Sequence, residues 1–140
     1  MKTERQLKSN ELRIGNYIQA NGPIMEVKSI NENEVSLYLH GSEADNWDEE
    51  IEKCTGVPLS PEILERCGFI KHVNSNKYWV FYVLDNGFHV GFAKHSEPSA
   101  GVREGVCYYG ENYIELQYLH QLQNLLYALA GEELILKSIQ

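Results

Sequence analysis

Asp85-Asn86-Gly87 separates two apolar runs, residues 78–84 and 88–93, and no other segment limits the fold so sharply. Asn and Gly accept the positive φ that a tight turn demands, so the runs are expected to pair as an antiparallel hairpin. With Asn86-Gly87 as a two-residue loop, Asp85 faces Phe88, Val83 faces Val90, Phe81 faces Phe92 and Trp79 faces Lys94. Side chains alternate across a strand. One face then carries Trp79, Phe81, Val83, Phe88, Val90 and Phe92 and reads as core. The other carries Tyr78, Val80, Tyr82, Leu84, His89, Gly91, Ala93 and His95, with Tyr82 across from Gly91. An odd loop length exchanges the partners' sides, so loop parity decides which rings can meet a partner.

Residues 106–109 and 113–116, separated by Gly110-Glu111-Asn112, add two further strands and give an expected antiparallel sheet of four. The stretch LQYLHQLQNLLYALAG, residues 116–131, then reads as a helix without a single charged residue, in a chain that is 23% charged. Leu119, Leu122, Leu126 and Leu129 recur at core spacing, widened by Tyr118 and Leu125, and Gly131 supplies the stop. The opposite side offers His120, Gln121, Gln123, Asn124 and Tyr127. Neutral polar groups tolerate burial where full charges do not. This face therefore either satisfies its amides within the chain, the simpler use, or meets another chain.

In the first third, Leu12, Ile14, Tyr17, Ile18, Ile24, Met25, Val27, Ile30, Val35, Leu37 and Leu39 fall in short runs broken by Gly15-Asn16, Asn21-Gly22-Pro23 and Asn31-Glu32-Asn33. Three strands in a meander fit this spacing. Val35, Leu37 and Leu39 alternate with Ser36, Tyr38 and His40, as in a half-buried strand. Residues 41–55 read as a polar loop around Trp47, with room for one more strand near Ile51. Ser60-Pro61-Glu62 provides a cap, a first-turn proline and an acidic residue for a short helix that Gly68 ends. The expected fold is α+β: an N-terminal SH3-like bent meander or barrel over residues 1–57, then residues 58–140 as a helix and an antiparallel sheet covered by the C-terminal helix.

The chain of 140 residues can bury a core without disulfides or a structural metal. Cys54, Cys67 and Cys107 are odd in number and widely spaced, which suits reduced, buried thiols. No run approaches the ~20 apolar residues of a membrane span, and the polar start of the chain lacks a secretory h-region, so a cytoplasmic location is expected. The net charge of −8 argues against a phosphate backbone as partner.

Three segments, ELRIGNYI (11–18), PLSPEILERCGF (58–69) and YLHQLQNLLYALAGEEL (118–134), together resemble a family of small uncharacterised bacterial proteins often encoded in prophage-like or mobile regions. The resemblance implies a bacterial, phage-associated setting. It brings no cofactor and no catalytic residue with it.

The chemistry in the sequence is sparse. Five histidines and three cysteines show no C-x-x-C, H-x-x-x-H or H-E-x-x-H spacing, so no metal site is assigned. Cys67 falls at a helix carboxyl end, where the dipole disfavours thiolate, and Cys107 lies in no nucleophile elbow. Gly-rich phosphate loops are absent, and no cofactor is expected. The reading is a non-enzymatic binding protein, an accessory factor with a protein partner. Its candidate face is Tyr78, Tyr82, His89 and His95, with Tyr108 and Tyr109 beside them. A small hydrolase using the same His, Cys and Tyr residues is the first alternative, and a nucleic-acid-binding module stacking bases on Tyr78 and Tyr82 is the second.

Overall fold

Alternation of apolar and polar residues through the first third builds an antiparallel meander in the computed structural model, which describes residues 7–20, 22–39 and 42–137. Its strands are β1 (Tyr17–Ala20), β2 (Ile24–Ile30) and β3 (Glu34–Leu39), with Ile18, Met25, Val27, Val35 and Leu37 buried. Asn31 Oδ1 closes the turn from β2 to β3 by accepting the amides of Asn33 and Glu34 at 3.1 and 2.8 Å. Leu7, Leu12, Ile51 and Cys54 complete the core of this layer. Asn21, His40 and Gly41 lie outside the described residues.

The segment read as a polar loop is a correction. It forms β4 (Ser42–Glu50), which pairs with β3, and β5 (Cys54–Gly56), which pairs with β1, joined by a 3-10 turn at Ile51–Lys53. The sheet order is β4-β3-β2-β1-β5. β4 is an edge strand, and an edge can carry charge on both sides, which also blunts pairing with another chain. Asp48, Glu49 and Glu50 serve that purpose, so apolar alternation is missing where a strand nonetheless forms.

Contacts divide the chain into two units. The first joins residues up to Pro58 with Tyr118–Gly131, and the second joins Leu59–Gln117 with residues from Glu132 onward. The C-terminal helix, α2 (Leu119–Ala130), thus groups with the first sheet and lies against β1, where its position in the sequence suggested a place in the same unit as the second sheet. Side chains explain the assignment. Gln123 Oε1 accepts the Tyr17 amide at 2.9 Å and its Nε2 donates to the Gly15 carbonyl at 3.0 Å. Asn124 donates to the Glu11 carbonyl and accepts from Asn16 Nδ2 and Arg13 Nε. His120, fully buried, pairs with Glu11 at 2.9 Å, and the Arg13 guanidinium lies 4.3 Å from the Tyr127 ring centre. The side-chain amides of Gln123 and Asn124 are therefore satisfied within the unit, by residues 11–17. Leu119, Leu122 and Leu126 are buried as their spacing demands, while Leu129 is exposed. Gly131, at φ 68°, ends the helix.

One close approach in this unit yields a test. A Cβ on Gly56 would stand 2.5 Å from Cγ and Cδ1 of Tyr118, at the root of the ring where it cannot swing away. Gly56→Ala is expected to destabilise the unit by about 1–3 kcal/mol, read as a lower urea midpoint. An unchanged midpoint would mean that Tyr118 does not rest on this strand.

In the second unit Ser60 caps α1 (Pro61–Arg66), its Oγ accepting the Ile63 amide at 3.2 Å, and Gly68 at φ 94° turns the chain out of it. Ile63, Leu64 and Cys67 are buried on one face. The sheet has five strands, one more than expected: β6 (Ile70–Lys71), β7 (Trp79–Val83), β8 (His89–Ala93), β9 (Cys107–Tyr109) and β10 (Ile114–Leu116), in the order β10-β9-β8-β7-β6. No helix among the described residues is long and apolar enough to cross a membrane.

Candidate functional site

The hairpin forms where expected, with the opposite parity. Leu84 pairs with Phe88 by hydrogen bonds in which the Leu84 amide donates to Phe88 and the Gly87 amide donates back to Leu84, both at 2.9 Å. Asp85, Asn86 and Gly87 thus make a three-residue loop, with Gly87 left-handed at φ 92° and Asn86 Oδ1 accepting the Phe88 amide at 2.9 Å. The register becomes Trp79 with Ala93, Val80 with Phe92, Phe81 with Gly91, Tyr82 with Val90 and Val83 with His89. A type I turn closed by glycine is the standard three-residue alternative to the two-residue turn, and Asp-Asn-Gly satisfies both.

This parity separates the residues proposed to share a face. Tyr82, 5% exposed, turns inward beside Val90 and sets its ring edge-on to Phe92 at 6.0 Å; burial and then the charge of Glu65 raise its phenol pKa. Cys107 and Leu116 follow on the same buried side. His89 instead shares the outer face with Trp79, Phe81 and Val83, and the register places Tyr108 beside Gly91 on that face. Tyr109 stacks on Phe88 at 5.0 Å. Tyr78 is 55% exposed and meets His95 edge-on at 6.3 Å.

The outer face forms a groove along β7. Its central cleft, about 440 Å³, is lined by Trp79, Phe81, His89, Tyr108, Tyr109, Glu111 and Tyr113, together with Val90 and the glycines 91 and 110. Phe81 and His89 continue it into a second depression with His72 and Val83, and Trp79 and Tyr113 into a third with Tyr78, His95 and Glu97. Gly91 lets the rings lie flat over β8, since a Cβ there would stand 3.0 Å from Trp79 and 3.1 Å from Phe81. Trp79 stacks on Tyr113 at 5.7 Å with 10° between the planes, and Tyr108 meets Trp79 edge-on at 6.0 Å. Tyr108 is fixed in turn, its hydroxyl accepting the Arg103 amide at 2.9 Å.

Tyr113 has φ 52°, the only positive value on a non-glycine residue among those described. It follows Gly110-Glu111-Asn112 in the turn from β9 to β10, and its amide donates to Gly110 at 3.2 Å. A bulky side chain is strained there, and such outliers gather at working surfaces. Sequence reading missed Trp79 and Phe81 because of the loop parity. It missed Tyr113 and Glu111 because only the turn geometry brings them over β7.

Catalytic groups do not converge here. The His89 ring contacts the Gly87 carbonyl at 3.3 Å, and no hydrogen bond joins His89 or His95 to a carboxylate among the described residues. All three cysteines are free and buried. Burial pushes the Cys67 and Cys107 thiols up to about 12, and burial followed by the charge of Glu49 pushes Cys54 up to about 11. A protonated thiol is a poor nucleophile. Among the described residues no group of three or more His, Cys, Asp or Glu gathers to hold a metal ion.

The raised thiols carry a pH signature. Groups that ionise more readily in the unfolded chain stabilise the fold fully below the unfolded thiol pKa, near 9.0, and this contribution is lost as pH rises toward 11–12. Stability is thus expected to fall above that point, and iodoacetamide at mildly alkaline pH should label the native protein far more slowly than the urea-unfolded chain. Rapid labelling of native Cys107 would contradict the burial. No family model, curated protein or solved structure matches this chain.

Proposed function

We propose that this protein is a non-enzymatic binding module, an accessory factor that holds an extended segment of a partner protein in the groove along β7. The observation that carries the reading is the aromatic row of half-buried Trp79 and Phe81 with exposed Tyr113, which lines three depressions that share residues. From Trp79 to Val83 the strand advances ~13 Å at about 3.3 Å per residue, enough for four or five residues of extended ligand. Rigid rings present large contact area at little entropic cost. The candidate face moves accordingly: His89 and Tyr109 stay, Tyr78 and His95 flank it, Tyr108, 4% exposed, supports Trp79 from within the fold, and Tyr82 is replaced by Trp79, Phe81 and Tyr113.

Neither alternative gains from the geometry. A hydrolase needs a nucleophile and a base within reach of each other, and the buried Cys107 has neither low pKa nor a paired histidine. A nucleic-acid groove needs cations to track phosphates, and among the described residues no Lys or Arg lines any of the three depressions. In the first unit, the strand order and the 3-10 turn before β5 support an SH3-like bent meander. The prophage or mobile-element setting and the cytoplasmic location follow from the sequence alone.

The test is selection of a displayed random peptide library on the intact protein, with counter-selection on Trp79→Ala. Peptides that need Trp79 are the expected result. Recovery only of peptides indifferent to Trp79, or of none, would overturn the reading.

A further inference from the structure

We propose that the segment taken by the groove is basic, with a lysine or arginine side chain laid against the Trp79–Tyr113 pair and its charge answered by Glu111. This rests on the groove being a peptide-binding surface and says what it selects. The charged side chains lining the three depressions are the carboxylates of Glu111 and Glu97, apart from the titratable histidines.

Of the cations around the groove, Lys94 and Arg103 are engaged elsewhere and Lys77 lies at its far edge, over Tyr78. Lys94 donates to the Asn76 carbonyl at 2.6 Å, Arg103 pairs with Glu115 at 2.7 Å, and Lys77 lies 5.3 Å from the centre of the Tyr78 ring. None of them answers Glu111, for which no hydrogen bond or ion pair occurs among the described residues. Glu97 holds the Ser99 hydroxyl at 3.0 Å, an interaction that leaves its negative charge in place.

The rings add their own preference. An indole or phenol face attracts an ammonium or guanidinium through its quadrupole, and arginine also stacks flat on such a surface. The chain's net charge of −8 draws cationic ligands in at longer range. An acidic segment would meet Glu111 and Glu97 with no cation to offset them. A neutral segment would fill the aromatic row and gain nothing from either carboxylate.

The peptides selected above provide the probe. In a Trp47→Phe background, the remaining tryptophan emission reports Trp79 alone, because the chain has two tryptophans. The tightest Trp79-dependent peptide is titrated alongside versions in which its basic residues become Gln or Glu. Selected peptides should be enriched in Arg and Lys, and the Glu version should bind about tenfold or more weakly. Glu111→Gln should weaken the basic peptide about fivefold without moving the urea midpoint, and high salt should shrink the difference between versions. Trp79-dependent peptides that are neutral or acidic, or indifference of the basic peptide to Glu111→Gln, would overturn the basic preference and leave the groove as a binding surface. Absence of any Trp79-dependent peptide would remove both.

Discussion

Replacing Gln123 with leucine is expected to lower the stability of the first unit by about 2–6 kcal/mol, because two buried backbone groups lose their partners at about 1–3 kcal/mol each. Leucine is the more hydrophobic residue and close in size, so a count of apolar burial would forecast the opposite sign. The difference lies in what Gln123 holds. Its carbonyl takes the Tyr17 amide and its amino group reaches the Gly15 carbonyl, at a site 1% exposed where water cannot substitute. The effect should appear as a lower urea midpoint and as lost hydrogen-exchange protection at the Tyr17 amide. Gln123→Glu refines the test. The carboxylate keeps the acceptor for Tyr17 but faces the Gly15 carbonyl without a proton, so burial raises its pKa above the unfolded value of about 4.3. That variant should be most stable in acid and lose stability as pH rises through the raised pKa. A midpoint unchanged by Gln123→Leu would show that this lock does not hold the helix.

Tyr113→Asn should weaken binding of a groove peptide about tenfold or more, as expected for an aromatic anchor, and leave stability within about 1 kcal/mol of the wild type. The left-handed backbone at φ 52° costs a bulky residue roughly 1–2 kcal/mol, and asparagine relieves much of that strain. Against this stands the lost stack on Trp79, worth about 0.5–1.5 kcal/mol. The two nearly cancel. A tyrosine kept only for packing would behave otherwise, since its removal would lower the urea midpoint markedly and affect ligand binding only through unfolding. Isothermal titration with a selected peptide and urea unfolding, performed on the same variant, separate these outcomes.

Much of the fold was legible because local chemistry and tertiary need agree. Ser60-Pro61 starts a helix and Gly68 ends it, Val35 and Leu37 alternate into a core, and Leu119, Leu122 and Leu126 of α2 point inward at their helical spacing. Two elements escaped for physical reasons. β4 is an edge strand whose stability comes from pairing with β3, so it needs no apolar stripe. The hairpin loop escaped because Asp85-Asn86-Gly87 accommodates either two or three residues, and one residue of difference turns every side chain over. Tyr82 was therefore placed on the surface when it is core, while Trp79 and Phe81, read as core, lie half-buried on the opposite face of the sheet. The neutral face of α2 shows what sequence can reach without contacts. A lack of charge foretold a polar neighbour, whereas the identity of that neighbour, the loop from Glu11 to Tyr17, depends on pairings more than a hundred residues apart.

That loop and α2 contain two of the three segments on which the family resemblance rests. These two segments hydrogen-bond to each other and form one polar lock. The aromatic groove is lined by residues of the other unit.

Backbone chemical shifts of the labelled protein, recorded while a selected peptide is added, address the groove most directly. The largest changes should fall on Trp79, Phe81, His89, Gly91 and residues 108–113, with the amides of 11–17 and 119–130 unmoved. Changes concentrated on α2 and the Glu11–Tyr17 loop, or on none of these residues, would contradict it.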